Sequence, residues 1–406
     1  MNKPRLGFQG GAYTGAGRLS GMLLLMALMM MTTGCLGTKT VSTVETPERT
    51  VARPIDLSRI PAPWKGPAGK LAQRGFSQKE IEAVFLSPNL QYTSKPMADK
   101  LKEIYPIFYR SERTKEVQQK LFQLGYDLVI DGRGGSGTKK AISLFQQDNK
   151  LKVDGEISDG LVTALNRAMK SKQKRSLADY RPPEAVKPSR TTTYQHFTSP
   201  DNLAKITAYY KEDKALFQAV GRRYQVPGEV AAAIMWVETR YGTFMGKHKA
   251  ASNLASMAAA ADNFALVENE VADLAARDSG SKAFLVDKAK ERGDWALNEL
   301  AALMRYSFDN GHDPTTFPGS VYGAIGWGQF MPSNISKFAV DGNGDGKVDL
   351  FNKEDAAFSI GNFIKNSGWK SGGMSEDERR AVIMKYNKSG VYVNTVLYLA
   401  DHLAKQ

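Results

Sequence analysis

The stretch that says most about the fold is residues 227–242, PGEVAAAIMWVETRYG. Its leading proline suits the first position of a helix, and Glu229 places a carboxylate near the positive end of the helix dipole. The residues that follow are almost all apolar, which predicts a buried helix carrying Glu238 near its end. Counting back in steps of four, Glu238 shares a helix face with Ile234 and Val230.

A carboxyl group on an apolar face has two interpretations. Desolvation disfavours the ionised form, so the pKa of Glu238 would rise and the side chain would keep a proton near neutral pH, as a general acid requires. Alternatively, Glu238 is a carboxylate near a helix end that is capped or paired with Arg240. Periodicity alone leaves both interpretations open and favours the second.

Two later motifs favour the first interpretation, in which Glu238 is a general acid. Residues 323–333 read GAIGWGQFMPS, and Tyr386-Asn387 is followed by Tyr392. Together with the ETRYG at 238–242, and in this order, they resemble the lysozyme-like catalytic domain of the membrane-bound lytic murein transglycosylase B family. The resemblance covers 194–406 and reaches back to 56–107, which look like the N-terminal helices of the same domain. It implies a mainly α, lysozyme-like transglycosylase fold.

The resemblance also implies a reaction. Glu238 would protonate the oxygen that bridges N-acetylmuramic acid and N-acetylglucosamine, and would then take a proton from the muramyl C6 hydroxyl to give a 1,6-anhydro product. A second carboxylate is not needed, because the substrate's own hydroxyl and acetamido group replace water and the nucleophile. The residues expected to bind the strand are Ser320, Gln329, Tyr386, Asn387 and Tyr392. The two tyrosines either offer flat faces to sugar rings or pack at a helix junction.

The sequence departs from the family pattern in two places. Relatives often carry an arginine pair in the helix after Gly246, but here Ala258–Ala261 is an alanine run, and an apparent insertion at 262–292 follows. Phe363 stands where relatives commonly have tyrosine. These departures bear on how the substrate is held.

Residues 108–168 form a separate unit with a weak internal repeat. Asp131-Gly132 and Asp154-Gly155 each predict a turn followed by a helical apolar pair, and with a preceding helix they predict a small three-helix body. The segment resembles the peptidoglycan-binding domain of many cell-wall hydrolases, which makes it an insertion within the catalytic fold. A basic, proline-containing linker at 169–193 follows it.

The N-terminal residues predict export. Basic residues precede a short apolar run that ends in Gly34-Cys35, so 1–35 has the layout of a secretory signal, and the run is too short to span a bilayer. The Gly-Cys pair resembles a bacterial lipoprotein processing site, which implies a lipid anchor on Cys35, a tether at 36–55, and a periplasmic location at the outer membrane. An ordinary signal peptide is the alternative. Cys35 is the only cysteine, so no intramolecular disulfide can form.

The net charge of +13 favours an anionic partner. No zinc-finger spacing, basic zipper or aromatic RNA-binding motif is present, so peptidoglycan is the expected partner and nucleic acid is not. The four histidines are far apart, which argues against catalytic zinc, and no organic cofactor is expected.

Residues 341–350, DGNGDGKVDL, read as the start of a calcium loop. Oxygen donors fall at the first, third and fifth positions, and glycine at the sixth allows the sharp turn. Asn352 stands where a closing glutamate is usual, but related transglycosylases have a longer loop, which makes 341–355 an EF-hand-like loop. The expected structural Ca²⁺ ligands are Asp341, Asn343, Asp345, the Lys347 carbonyl and Asp355. A metal-free turn rich in Asp and Asn is the alternative.

Three functions fit these features. The leading one is a lytic transglycosylase acting in cell-wall remodelling or turnover. A muramidase would cleave the same bond with water, and a non-catalytic peptidoglycan-binding scaffold would use only the binding surfaces.

Overall fold

The computed structural model describes residues 55–171 and 189–406. The predicted signal segment 1–35 with Cys35, most of the tether and the middle of the 169–193 linker lie outside these residues. The described chain is mainly helical, which confirms the predicted fold class. Within the two described ranges, no helix has both the length and the apolarity that a membrane span requires.

Eighteen α-helices, two short 3₁₀ helices (Ala62–Trp64 and Asn269–Val271) and one two-stranded antiparallel sheet make up the described elements. Those before the 169–193 linker are α1 (Lys65–Gln73), α2 (Gln78–Phe85), α3 (Lys95–Phe108), α4 (Glu112–Gln123), α5 (Ser136–Asp148) and α6 (Asp159–Lys170). Those after it are α7 (Gln195–Thr198), α8 (Pro200–Glu212), α9 (Lys214–Tyr224), α10 (Gly228–Thr239), β1 (His248–Lys249), α11 (Ala250–Asp262), α12 (Ala265–Glu268), α13 (Ala272–Ala275), α14 (Ser281–Asp309), β2 (Pro318–Gly319), α15 (Pro332–Phe338), α16 (Lys353–Asn366), α17 (Glu376–Tyr386) and α18 (Gly390–Leu403).

The larger hydrophobic core is built from both sides of the 108–168 unit. Its buried residues run from Ile60 to Tyr105 and again from Phe197 to Leu403. Hydrogen bonds join the two parts: the Tyr92 hydroxyl donates to the Leu266 carbonyl at 2.7 Å, and the Tyr105 and Ser281 hydroxyls lie 2.6 Å apart. The first three helices therefore pack as part of the same body as α7 to α18.

The alanine run lies in the most crowded part of this core. Every residue of α11 from Ala250 to Ala260 is buried, and the helix packs along α14. A Cβ at Gly293 of α14 would collide with Ala261 and with the Met257 carbonyl, so the two backbones approach closely. Such an approach needs small side chains. The close packing explains why long basic side chains are absent from Ala258–Ala260.

The 108–168 unit has its own small core, formed where α4, α5 and α6 meet. Each predicted Asp-Gly turn is held by a buried glutamine. The Gln118 carbonyl oxygen accepts the backbone N–H groups of Asp131 and Gly132, at 3.0 and 2.7 Å. The Gln146 carbonyl oxygen accepts those of Asp154 and Gly155, at 3.0 and 2.9 Å. The sequence repeat is therefore a repeat of the same turn, whose glycines have φ of +74° and +69°.

The apparent insertion at 262–292 is ordered helical structure. It forms α12, α13 and the first turns of α14, and it packs against α3. At its centre, Asp278 accepts the backbone N–H groups of Gly280 and Ser281 at the start of α14, and it also accepts the Tyr109 hydroxyl. Tyr109 follows directly after α3, so the insertion contacts the point where the chain enters the 108–168 unit.

Candidate active site

Glu238 lies in the last turn of α10, which is almost entirely buried. Proline 227 is the N-cap of this helix, so α10 begins at Gly228, one residue later than predicted. At its other end Arg240 and Tyr241 have φ of +49° and +54°, and Gly242 has +74°. Left-handed backbone at consecutive non-glycine residues is costly and is concentrated at functional sites. This turn reverses the chain immediately after Glu238.

The turn is joined to the 323–333 motif. The Thr239 hydroxyl donates to the Trp327 carbonyl at 2.9 Å and accepts the Gly242 N–H at 3.1 Å. Trp327 is fixed in turn, since its indole N–H donates to the Phe351 carbonyl at 2.9 Å. The first two predicted motifs therefore lie together in space.

The third motif contributes the direct partner of Glu238. The Tyr392 hydroxyl donates to Glu238 Oε1 at 2.7 Å. No cation of the described residues forms a salt bridge with Glu238, so the alternative pairing with Arg240 is not observed. Burial raises the pKa of Glu238 to about 7, and the hydrogen bond from Tyr392 opposes part of that rise. The carboxyl group thus carries a usable proton near neutral pH.

Tyr386 and Tyr392 form one layer behind this carboxyl group. Their rings are nearly parallel, at 6° with centroids 6.5 Å apart, and the Tyr386 hydroxyl donates to the Gly328 carbonyl. Burial raises the pKa of both phenols well above the usual range, so both stay neutral donors. Tyr392 is only 2% exposed, which leaves its ring no open face for a sugar. Its observed contact is with the acid.

Removing the Tyr392 hydroxyl tests this contact. We expect Tyr392→Phe to move the alkaline limb of the pH profile of kcat to higher pH, because the lost hydrogen bond stabilised the Glu238 carboxylate. We also expect kcat to fall about tenfold as the acid loses its fixed orientation. Tyr398→Phe on the exposed side of the same helix is the matched control and should change neither. An unshifted alkaline limb in the first variant would contradict the contact.

Of the other predicted substrate residues, Gln329 lies in the 323–333 motif, Ser320 lies just before it, and Asn387 follows α17. Gln329 adopts a φ of +46°, and its amide donates to the Gly326 carbonyl at 3.1 Å. The Ser320 hydroxyl accepts the N–H groups of Tyr322 and Ala324, at 3.3 and 3.0 Å, so it organises the turn that precedes the loop. Asn387 is exposed just after α17. Phe363 is buried against the Tyr386 ring, at 4.9 Å between centroids.

A pocket of about 500 Å³ opens over Glu238. Besides residues 237–239, it is lined by Phe197, Arg240, Thr243, Phe244 and Lys247. Sequence reasoning missed Phe197, Phe244 and Lys247. Phe244 and Lys247 flank the Met245-Gly246 pair, which follows the ETRYG motif closely in the sequence. That closeness could have indicated that they lie near Glu238. Phe197 lies some forty residues upstream and carries no such signal.

The 341–355 loop has the turn geometry that its sequence predicts. The Asp341 carboxylate accepts the N–H groups of Gly344 and Gly346, at 2.6 and 2.8 Å. Asp355 is fully buried and accepts the N–H groups of Gly342 and Asn343, at 2.9 and 3.2 Å. Asp355 therefore reaches the beginning of the loop, as the predicted ligand set requires.

The loop carboxylates face backbone amides in this geometry. Across the described residues, no group of three or more His, Cys, Asp or Glu side chains is arranged to hold a metal ion. Asp345 accepts the Lys347 N–H at 2.8 Å, in the same manner as Asp341. Each carboxylate has two oxygens with about four lone-pair sites, so accepting these amides leaves acceptor sites that a cation could use.

Comparison with known proteins gives two family matches. The family model described as "Transglycosylase SLT domain" matches residues 143–378, more than half of the chain. The model described as "Putative peptidoglycan binding domain" matches residues 110–165. The membrane-bound lytic murein transglycosylase B of Escherichia coli (strain K12) is 30% identical over 176 residues, which is 43% of this chain and 41% of that protein. The similarity thus spans about two fifths of that relative's length.

Solved structures also show similarity. The soluble lytic transglycosylase SltB1 from Pseudomonas aeruginosa has a TM-score of 0.44 and 19% sequence identity, covering 66% of this chain and 98% of that chain. The Escherichia coli lytic transglycosylase Slt35 in complex with calcium has a TM-score of 0.42 and 19% identity, covering 71% and 98%.

Proposed function

The chain belongs to the transglycosylase SLT domain family, and from that premise we propose that it cleaves the β-1,4 bond between N-acetylmuramic acid and N-acetylglucosamine by lytic transglycosylation. The observation that carries the proposal is Glu238, a carboxylic acid with a pKa of about 7 that opens into a pocket. The peptidoglycan-binding match of 110–165 supports the same polymer as substrate.

Glu238 performs both proton transfers. In the first, its proton goes to the glycosidic oxygen while the bond from that oxygen to the muramyl C1 breaks, and the neighbouring acetamido oxygen stabilises the positive charge at C1. In the second, the Glu238 carboxylate takes the proton of the C6 hydroxyl while O6 bonds to C1. The 1,6-anhydro product forms without consuming water, and the acid is restored.

The pocket composition favours this route over hydrolysis with two carboxylates. Glu238 is the only acidic residue among the pocket's described lining residues. An inverting or retaining hydrolase normally places a second carboxylate within about 5 to 10 Å. Tyr392 fills the supporting role instead, because its neutral hydroxyl orients the acid and stabilises the carboxylate between the two transfers.

Product analysis tests the proposal. Purified protein is incubated with peptidoglycan sacculi, and the released muropeptides are examined by mass spectrometry. We expect anhydromuramoyl ends. Reducing ends would show a muramidase, and absence of any cleavage would leave the binding scaffold.

We also propose that Ser320, Gln329, Tyr386 and Asn387, which do not line the pocket itself, hold the strand where it extends beyond the pocket, and that Tyr392 positions the acid. Gln329 supports this, since its left-handed backbone places it in the loop whose Gly328 carbonyl accepts the Tyr386 hydroxyl. Ser320 contributes indirectly, because its hydroxyl stabilises the turn that precedes the 323–333 motif. Asn387 offers an exposed amide at the end of α17.

We propose that the three-helix body at 108–168 is a peptidoglycan-binding domain inserted into a catalytic domain formed by 56–107 and 194–406. Replacing residues 111–188 with a short Gly/Ser linker tests this. The excision keeps Tyr109, which contacts Asp278, and Arg190, which pairs with Asp377 at 2.7 Å. We expect a soluble protein that unfolds cooperatively, cleaves short soluble glycans and binds sacculi more weakly. An aggregated product would contradict the insertion.

We propose that Ca²⁺ binds the 341–355 loop through Asp341, Asn343, Asp345, the Lys347 carbonyl and Asp355. The fully buried Asp355, directed at the start of the loop, supports this ligand set. We expect Ca²⁺ at a hundredfold excess over Kd to stabilise the fold by about 2.7 kcal/mol, measured as a rise in Tm. Asp341→Asn should reduce the shift, and the exposed Asp287→Asn should not. An equal Tm with Ca²⁺ and with chelator would contradict the site.

For location, we propose a periplasmic enzyme anchored to the outer membrane through lipid on Cys35. The sequence 1–35 supports this, as does the similarity to a relative named membrane-bound. Cells expressing the protein are labelled with a tagged fatty acid, and Cys35→Ser is the control. Equal labelling of both proteins, or labelling of neither, would contradict the anchor.

A further inference from the structure

Two cationic side chains lie at the edge of the pocket over Glu238, and the proposed proton transfers use neither of them. Arg240 lies two residues beyond the acid, and Lys247 follows the Met245-Gly246 pair. Both line the pocket, and both are exposed. Neither pairs with a carboxylate of the described residues. Two cations at one pocket, in which Glu238 is the single acidic residue of the described lining, create a net positive potential that attracts anionic groups.

Aromatic rings position both charges. The Arg240 guanidinium lies over the Phe197 ring, with its Cζ 5.9 Å from the centroid. The Lys247 ammonium lies over the Phe244 ring, also at 5.9 Å. Phe244 is 50% exposed although it is a large apolar residue, so it is not held there by core packing. Such cation–π contacts fix the direction of a long side chain while leaving its hydrogen-bond donors free.

The backbone also directs Arg240 toward the pocket. Its φ of +49° ends α10 in a left-handed turn, so its side chain leaves the helix direction and lines the same cavity as Glu238. A non-glycine residue in this conformation needs support from its surroundings, and here the Thr239 and Gly242 contacts supply it. The turn that follows Glu238 therefore also positions the Arg240 guanidinium.

We propose that Arg240 and Lys247 form a carboxylate-binding subsite that makes this cleft select muramyl strands over neutral glycans. The proposal rests on the proposed function, since it assumes that a glycan strand occupies the pocket. The muramyl residue differs from N-acetylglucosamine by a lactyl group, which ends in a carboxylate when free and bears a carboxylate-containing peptide when substituted. Arg240 offers the bidentate geometry that suits a carboxylate, and Lys247 adds a point charge.

Equilibrium binding to Glu238→Gln protein tests the subsite without turnover. The ligands are peptide-free muramyl strands, the same strands with the lactyl carboxylate converted to an amide, peptide-bearing strands, and neutral chitooligosaccharides of equal length. We expect Arg240→Gln or Lys247→Gln to weaken binding of a carboxylate-bearing strand about tenfold, as loss of one charge-assisted hydrogen bond does. Binding of chitooligosaccharide and of the amidated strand should not change.

Control variants separate this effect from net charge and from folding. Arg222→Gln and Lys290→Gln each remove one exposed cation that lies outside the pocket lining, and they should alter no affinity. Arg240→Lys keeps the charge and should retain more of the selectivity than Arg240→Gln. Weakening of the peptide-free strand assigns the subsite to the lactyl carboxylate, and weakening of the peptide-bearing strand alone assigns it to the peptide.

The failures are distinguishable. Equal loss for charged and neutral ligands would show a structural role and overturn the subsite, and unchanged affinity for every ligand would overturn it as well. Either result leaves the proposed function standing if the unsubstituted protein releases anhydro products. Binding of none of the glycans by the Glu238→Gln protein would overturn the subsite, and the proposed function fails with it only if the unsubstituted protein also releases no anhydro products.

Discussion

Replacing Glu238 with glutamine is expected to lower the rate of anhydromuropeptide release from sacculi by about 10³-fold. Glutamine has nearly the same shape and can still accept the Tyr392 hydroxyl, but it has no proton to give to the glycosidic oxygen and no charge with which to take one from the C6 hydroxyl. The measurement is the initial rate of product formation at pH 6 by mass spectrometry.

Glu229→Gln is the matched control, because Glu229 is in the same helix and accepts the Tyr210 hydroxyl at 2.6 Å. It should keep nearly full activity. Retention of activity by Glu238→Gln would remove Glu238 from the mechanism.

The same variant has a stability signature. The folded pKa of Glu238 is about 7 against a usual value of 4.5, so between those pH values the folded state holds a proton that the unfolded chain releases. The contribution of Glu238 to the stability of the folded protein therefore falls as pH rises from 4.5 through 7, by about 3 kcal/mol in total. Glutamine has no such titration.

We thus expect Glu238→Gln to match the unsubstituted protein below pH 4.5 and to exceed it in free energy of unfolding by about 3 kcal/mol at pH 8. Urea unfolding at the two pH values measures this. A difference that is the same at both pH values would show that folding does not raise the pKa of Glu238.

Gly246→Ala is the second change with a large expected effect. Gly246 has a φ of +104°, and an added Cβ would overlap the carbonyl carbon and oxygen of Gly319, which belong to β2. Neither backbone segment can yield without disturbing the pairing of His248 with Gly319. We expect a loss of about 3 kcal/mol in the free energy of unfolding, measured by urea titration, together with lower activity.

Gly368→Ala is the control that separates the cost of the left-handed backbone from the cost of the steric overlap with Gly319. Gly368 has a φ of +105°, but no atom lies within 4 Å of its added Cβ. It should lose only about 1 kcal/mol, the conformational part of the effect. Equal losses in the two variants would show that contact between Gly246 and Gly319 contributes nothing.

Local sequence signals predicted much of the fold. Ser77 with Glu80 three residues later is a capping-box pattern, and the two residues form a full capping box at the start of α2. The Asp-Gly repeat predicted two equivalent turns, and the structure has them. The resemblance to a transglycosylase family with a peptidoglycan-binding domain is confirmed by both family models. These features depend on neighbouring residues, which explains why the sequence alone was sufficient.

Features that depend on distant packing could not be predicted in the same way. Leu151 is an apolar residue of the small body, yet it is 36% exposed because it follows the end of α5. The 262–292 segment appeared only as an insertion, although it forms helices that contact α3. Tyr392 was expected to meet the sugar, and its approach to Glu238 depends on α10 and α18 packing together over a separation of 154 residues.

The interrupted architecture also sets an order of folding. Residues 93–108, which include α3, are synthesised early. The partner of Tyr105, Ser281, is synthesised 176 residues later, and the partner of Thr93, Ser256, 163 residues later. The small body closes over contacts of much shorter range, and short-range contacts form first because the loop-closure entropy is lower. We therefore expect the three-helix body at 108–168 to fold before the apolar faces of α1 to α3 are covered by the later helices. Because Tyr392 lies in α18, the acid gains its hydroxyl partner last, so catalytic competence arises only after the rest of the chain has been assembled.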